Sequence, residues 1–188
     1  MKLVLLTNVM NHYQRALSDA LNAQLGDDKF KFIATVPLNQ ERMKLGFSDL
    51  NHSRAYTICT YDNEESRAEA MKVCFDADVV IAGSAPKEFY HTRDRWGKLT
   101  FMYSERVYKK PLNKIEIPLR TFLYYFRHGR YKNKYLLCNS AFTSGDYSIT
   151  GTYLNKAYKW GYFPEMNIYD IDKLILRKRS EKIRIIWS

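Results

Sequence analysis

Along the chain, short and nearly unbroken apolar runs alternate with longer stretches in which apolar residues recur at helical spacing. The run KLVLLT (2–7) predicts a strand buried on both faces. After a polar turn, Ala16, Leu17, Ala20, Leu21 and Leu25 in residues 13–26 predict an amphipathic helix that Gly26 stops. The pattern repeats with FKFIATV (30–36), a short helical stretch at 40–45, AYTICT (55–60), a helix over 63–75, and DVVIAG (78–83). A polar link over 86–97 then leads to LTFMYS (99–104), and an aromatic, basic segment leads to YLLCNS (135–140). Such alternation predicts an α/β fold, a Rossmann-like parallel sheet with helices on both faces. In that architecture ligands bind beyond the carboxyl ends of the strands. The loops to inspect are therefore 7–12, 37–40, 83–87, 104–108 and 139–144.

Composition narrows the class. With 46% apolar and 15% aromatic residues among 188, the chain is too hydrophobic for disorder and too evenly mixed with charge to span a membrane. Its first residues hold too short an apolar run for a signal peptide, so a cytoplasmic protein is expected. Cys59, Cys74 and Cys138 are odd in number and widely spaced, with no C-x-x-C motif and no histidine close in sequence; they read as reduced core residues, and no metal site is expected. The formal charge of +10 invites an anionic partner. Between residues 104 and 135, nine Lys and Arg face two Glu, so +7 of that charge sits in one stretch.

The strand-end loops hold the candidate chemistry. Neither a G-x-G-x-x-G after the first strand nor a P-loop motif occurs, which argues against a dehydrogenase or a P-loop kinase. Asn11 and His12 open the first helix. Either Asn11 simply caps it with His12 in the solvated first turn, or the pair meets a sugar or phosphate oxygen. The Gly-Ser-Ala turn at Ser84 in IAGSAPKE either lets backbone approach a ligand or is an ordinary turn. Glu105 and Arg106 directly follow a strand; a carboxylate there holds acceptor hydroxyls or serves as base and Arg106 meets a phosphate, or else the two form a surface ion pair. Residues 115–135 predict a helix with Pro118 in its first turn and Gly129 at its end. Leu119, Phe122, Leu123 and Phe126 lie among Arg120, Arg127, Arg130, Lys132 and Lys134, which suits an anionic membrane surface or a core-facing helix with a solvated basic side. His128 is expected to be exposed.

The segments TNVMNHYQRALSDAL, ADVVIAGSAP, GKLTFMYSERVYK, LLCNSAFTSGDY and KWGYFPE, in this order, resemble the N-terminal half of bacterial GT-B fold glycosyltransferases of the retaining family four. The resemblance covers most of residues 1–166. It implies an acceptor-binding domain over 1–166, and a linker plus the first strand of a truncated second domain over 167–188. The implied activity is transfer of a hexosyl group from a nucleotide sugar to a saccharide or lipid-linked acceptor in surface polysaccharide synthesis, at the inner membrane face. The donor is a substrate bound mainly by the second domain, where the family's paired glutamates lie; no cofactor is implied. His12 and Glu105 become the candidate catalytic residues, with Asn11, Ser84 and Arg106 lining the cleft. The family's glycine-rich first loop is replaced here by NVMNHY. Two other classes remain: a nucleic-acid-binding module, the less favoured one, using the tyrosine-rich basic segment, and a freestanding α/β domain binding a small anion.

Overall fold

Every residue of β1 (Leu3–Thr7) is buried, because the strand runs through the middle of a parallel sheet. The computed structural model describes residues 1–110, 112–166 and 168–178. Six further strands, β2 (Phe30–Ala34), β3 (Thr57–Cys59), β4 (Val79–Ala82), β5 (Leu99–Ser104), β6 (Lys134–Cys138) and β7 (Ala157–Lys159), complete the sheet. Their order is β3-β2-β1-β4-β5-β6-β7, with each neighbouring pair parallel. Leu5 pairs with Phe32 on one side and Ile81 on the other. The expected Rossmann-like α/β fold is thus present.

Two apolar layers follow from the two-residue period of the strands. Val4, Leu6, Ile33, Val80, Ala82 and Leu136 face one side, where Ala70 and Cys74 of α3 (Glu64–Asp76) and Phe89 and Tyr90 of α4 (Glu88–Arg95) cover them. Leu3, Leu5, Phe30, Phe32 and Ile81 face the other, against Leu17, Leu21 and Leu25 of the helix α1 (His12–Leu25). Each fully buried large side chain contributes roughly 1.5–3 kcal/mol of transfer free energy. The remaining helices are α2 (Gln40–Lys44), α5 (Glu116–Tyr124), α6 (Thr143–Ser148) and α7 (Ile171–Lys178). No described helix is long and apolar enough to cross a membrane. The α7 helix lies in the stretch 167–188 read as linker and first strand of a second domain, and residues 179–188 of that stretch lie outside the described residues.

Three departures from the sequence reading share one cause. The polar link over 86–97 contains α4, whose Arg93 and Asp94 point inward. Arg93 is 1% exposed and donates five hydrogen bonds, to Thr100 Oγ1 and to the carbonyls of Cys74, Ala77, Asp78 and Leu99. It ties the end of α3 to the amino ends of β4 and β5. Lys134 does not face outward with the other cations of its segment. Its side chain and that of Asp94 are each 1% exposed, Nζ lies 2.6 Å from Asp94 Oδ2, and the rings of Tyr90 and Tyr131 flank it at 4.8 and 5.2 Å. The other Asp94 oxygen, Oδ1, is buried without a donor among the described residues.

His128 is likewise buried rather than exposed. After α5 the chain continues as a π turn, Tyr125–Gly129, closed by Arg130 N–H on Tyr125 O at 3.0 Å, with Pro118 and Gly129 placed as expected. His128 sits among Tyr124, Tyr147 and Tyr153, with Nδ1 2.8 Å from the Tyr153 hydroxyl. Burial, and then the charges of Lys134 and Arg127, push its pKa down to about 3, so it is neutral.

Candidate functional site

The order of the strands reverses direction between β1 and β4, and there the loops that follow them part to leave a crevice. A cleft of about 450 Å³ opens at this point. Asn11 and Gln14 line one side, Gly83 and Ser84 the next, and Glu105, Arg106, Asn139 and Tyr162 the rest. Its volume falls in the range of small-ligand pockets. Four residues expected from the sequence therefore meet: Asn11, Ser84, Glu105 and Arg106.

His12 does not join them. It is exposed on the first turn of α1, its ring 5.9 Å from that of Phe47, and it is absent from the cleft lining. The direction of the helix start explains this: Asn11 caps α1 with its Oδ1 on Gln14 N–H at 3.0 Å, while Gln14 Oε1 accepts from Asn11 N–H, also at 3.0 Å. This reciprocal pair turns Asn11 and Gln14 toward the cleft. Capping and cleft lining are both roles of Asn11; its side-chain NH₂ remains for a ligand.

The floor is a polar chain that the sequence reading missed. Gln14 Nε2 donates to the Tyr103 hydroxyl at 2.7 Å, and that hydroxyl donates to Thr7 Oγ1 at 3.0 Å. The Tyr103 ring lies over Gly83 so closely that a Cβ there would come within 2.2 Å of it. Gly83 thus makes room for a side chain of the protein itself, a reason for its smallness that neither reading of the turn supplied.

Glu105 and Arg106 are held differently. The Tyr162 hydroxyl donates to Glu105 Oε1, and that hydrogen bond, with burial adding to it, pushes the Tyr162 pKa up to about 12. Glu105 is exposed, so its second oxygen is open to a ligand. Arg106 lies over the Phe142 ring at 5.0 Å, with Nε 3.6 Å from Asp146 Oδ2. Asp146, buried in α6, also accepts from the N–H groups of Val107 and Tyr108 at 2.9 and 3.1 Å, which fixes the loop after β5. Asn139 Oδ1, at the end of β6, is buried without a protein donor among the described residues. The cleft so built offers a carboxylate, a guanidinium, two amides and tyrosine faces, a set suited to a ligand rich in hydroxyls with room for one anionic group.

The basic segment lies elsewhere. Leu119 and Phe122 of α5 are 61% and 62% exposed, and Arg127, Arg130 and Lys132 are exposed beside them. Arg120 lies over Tyr108 at 5.1 Å and reaches Glu116 at 3.7 Å. Arg130 stacks on Phe126 and Tyr131 and donates to the Tyr131 hydroxyl at 3.0 Å.

Comparisons with known protein families, with curated proteins and with solved structures find no match.

Proposed function

We propose that the chain is the acceptor-binding part of a glycosyltransferase that moves a sugar from a nucleotide sugar to a saccharide or glycolipid. The observation that supports this most is the open cleft at the crossing point of the strand order, where Glu105 and the Asn11 and Asn139 amides stand ready for hydroxyl groups. Aromatic rings from Tyr147 and Tyr162 add apolar surface for a sugar face. Arg106 is the group for a phosphate or other anion on the ligand. The reading needs a second α/β domain facing the cleft to hold the donor. Catalysis would then come from positioning the acceptor and stabilising the departing diphosphate.

The test is transfer of label from nucleotide sugars to saccharide and lipid-linked acceptors by the protein that carries this chain. Glu105→Gln is expected to lower transfer about tenfold or more, the effect of one charge-assisted hydrogen bond. His12→Ala is expected to leave it unchanged. Absence of transfer with every donor, or equal rates for Glu105→Gln and the parent, overturns the reading.

The exposed apolar face of α5 supports a location on an anionic bilayer, with Arg127, Arg130 and Lys132 meeting headgroups at about 1 kcal/mol each. Sedimentation with anionic and with neutral vesicles tests it; equal binding to both removes the membrane from the proposal.

A further inference from the structure

The end of β3 brings together three side chains that lie apart in sequence. Cys59 is the last residue of the strand, Asp62 follows in the turn before α3, and His52 comes from a single 3-10 turn, Asn51–Ser53, packed against them. One ligand atom from each, a ring nitrogen, a thiol sulfur and a carboxylate oxygen, lie within 4.8 Å of one another. His52 Nε2 is 3.1 Å from both Asp62 oxygens, and its Nδ1 is 3.5 Å from Asp49 Oδ2. Cys59 is 4% exposed, whereas the side chains of His52 and Asp62 are 54% and 37% exposed.

A histidine held between two carboxylates explains itself as an ion cluster. The Cys59 thiol, in the apolar core and hydrogen-bonded with the Tyr61 side chain, adds a sulfur donor beside that cluster. Nitrogen, sulfur and oxygen donors converging on one spot are the ligand set of zinc-class ions. The 3.1 Å between His52 Nε2 and the Asp62 oxygens is near the spacing of two ligands on a tetrahedral ion with bonds of about 2 Å, and the sulfur has to close by about 1.3 Å at most. Asp49 stands where an outer carboxylate fixes a ligand imidazole, on the nitrogen away from the ion.

The cluster is also braced. Fully buried Asn51 receives Met10 N–H on Oδ1 at 2.8 Å and donates to Val36 O at 3.2 Å and to the Tyr61 hydroxyl at 2.9 Å. That locks the His52 turn to the β3 end and to the loop carrying Asn11. We propose that His52, Cys59 and Asp62 bind one zinc-class divalent ion, with Asp49 orienting His52 and a fourth position open to solvent. The inference is independent of the glycosyl-transfer reading.

Cobalt(II) is the probe. Chelator-treated, reduced protein titrated with Co²⁺ is expected to take up one equivalent, with the near-ultraviolet absorption of a cobalt–thiolate bond and the visible bands of a tetrahedral ion, both displaced by Zn²⁺. Cys59→Ser is expected to abolish the sulfur band. Because Cys59 is in the core, the exposed substitutions His52→Gln and Asp62→Asn carry the test if that variant does not fold; each is expected to weaken binding at least tenfold. Asp49→Asn is expected to weaken it about 10- to 100-fold, as for an outer-shell partner. Lack of saturable binding, a spectrum without the sulfur band, or affinity unchanged in His52→Gln and Asp62→Asn overturns the assignment.

Discussion

At the amino ends of β4 and β5, the Arg93 guanidinium is directed wholly at Thr100 and backbone carbonyls, while at the carboxyl end of β5, Arg106 rests half-exposed on Phe142, with Asp146 as its carboxylate neighbour. Carboxylates divide the same way. Asp94 lies in the core against Lys134, but Glu105 is exposed and tied to the protein by a tyrosine hydroxyl. One sheet thus carries charge for two purposes. Below, its removal from water is offset by internal partners, Asp94 Oδ1 excepted; above, the charges are exposed and a ligand can supply further partners.

The largest blow to this contrast falls on the lower end. Arg93→Met leaves several carbonyls without a donor, and Lys134→Met leaves a buried carboxylate unpaired; each is expected to cost about 3–5 kcal/mol in urea unfolding. Adding Asp94→Leu to Lys134→Met is expected to recover much of the loss, since replacing both partners of a buried pair is often neutral. If single and double variants unfold alike, the Lys134 pairing is not the source of the stability.

His128 gives the next effect. Its folded pKa is depressed to about 3 from 6.5, so the unfolded state binds the proton first. Its contribution is complete above about pH 6.5 and is lost as pH falls toward 3, on the order of 5 kcal/mol at fullest. Unfolding curves of His128→Gln should show a shallower decline than the parent over that window; parallel declines would refute the assignment.

Smaller still is the cost of Gly83→Ala, which drives a methyl group into the Tyr103 ring and is expected to destabilise by about 1–3 kcal/mol. Tyr103→Ala in the same chain should remove most of that cost, which a double-mutant cycle measures. The upper end is expected to respond least in stability. Glu105→Gln should shift unfolding by no more than about 0.5 kcal/mol while weakening ligand, and a large shift would place Glu105 with the structural charges below.

The strands were legible because a sheet covered on both faces shows itself as apolar runs such as LVLLT and VVIA. The α4 and α6 helices were hidden for the converse reason. Arg93 and Asp94 in one, and Thr143 and Asp146 in the other, occupy inward positions where a pattern of apolar residues is sought. Lys134 and His128 misled the reading of the basic segment in the same way, since charge and imidazole are assigned outward unless partners are visible. Edge strand β7, three residues with a lysine, carries too little pattern to be read. In the site, Asn11, Ser84, Glu105 and Arg106 followed from the rule of strand ends. Asn139 lies in a loop that the same rule marked, without being singled out there, whereas Tyr103 and Tyr162 reach the cleft through tertiary packing, which local spacing does not encode.

The walls of the cleft lie far apart in the order of synthesis. Asn11 and Gln14 leave the ribosome before Tyr162, which bonds Glu105 and follows them by about 150 residues. At typical bacterial to eukaryotic rates of translation, about ten seconds or more separate the two walls. During that interval the nascent chain can pair β1 with β2 and β2 with β3, but the Glu105 carboxylate has no tether. Glu105 is therefore fixed at the cleft only once Tyr162 has emerged.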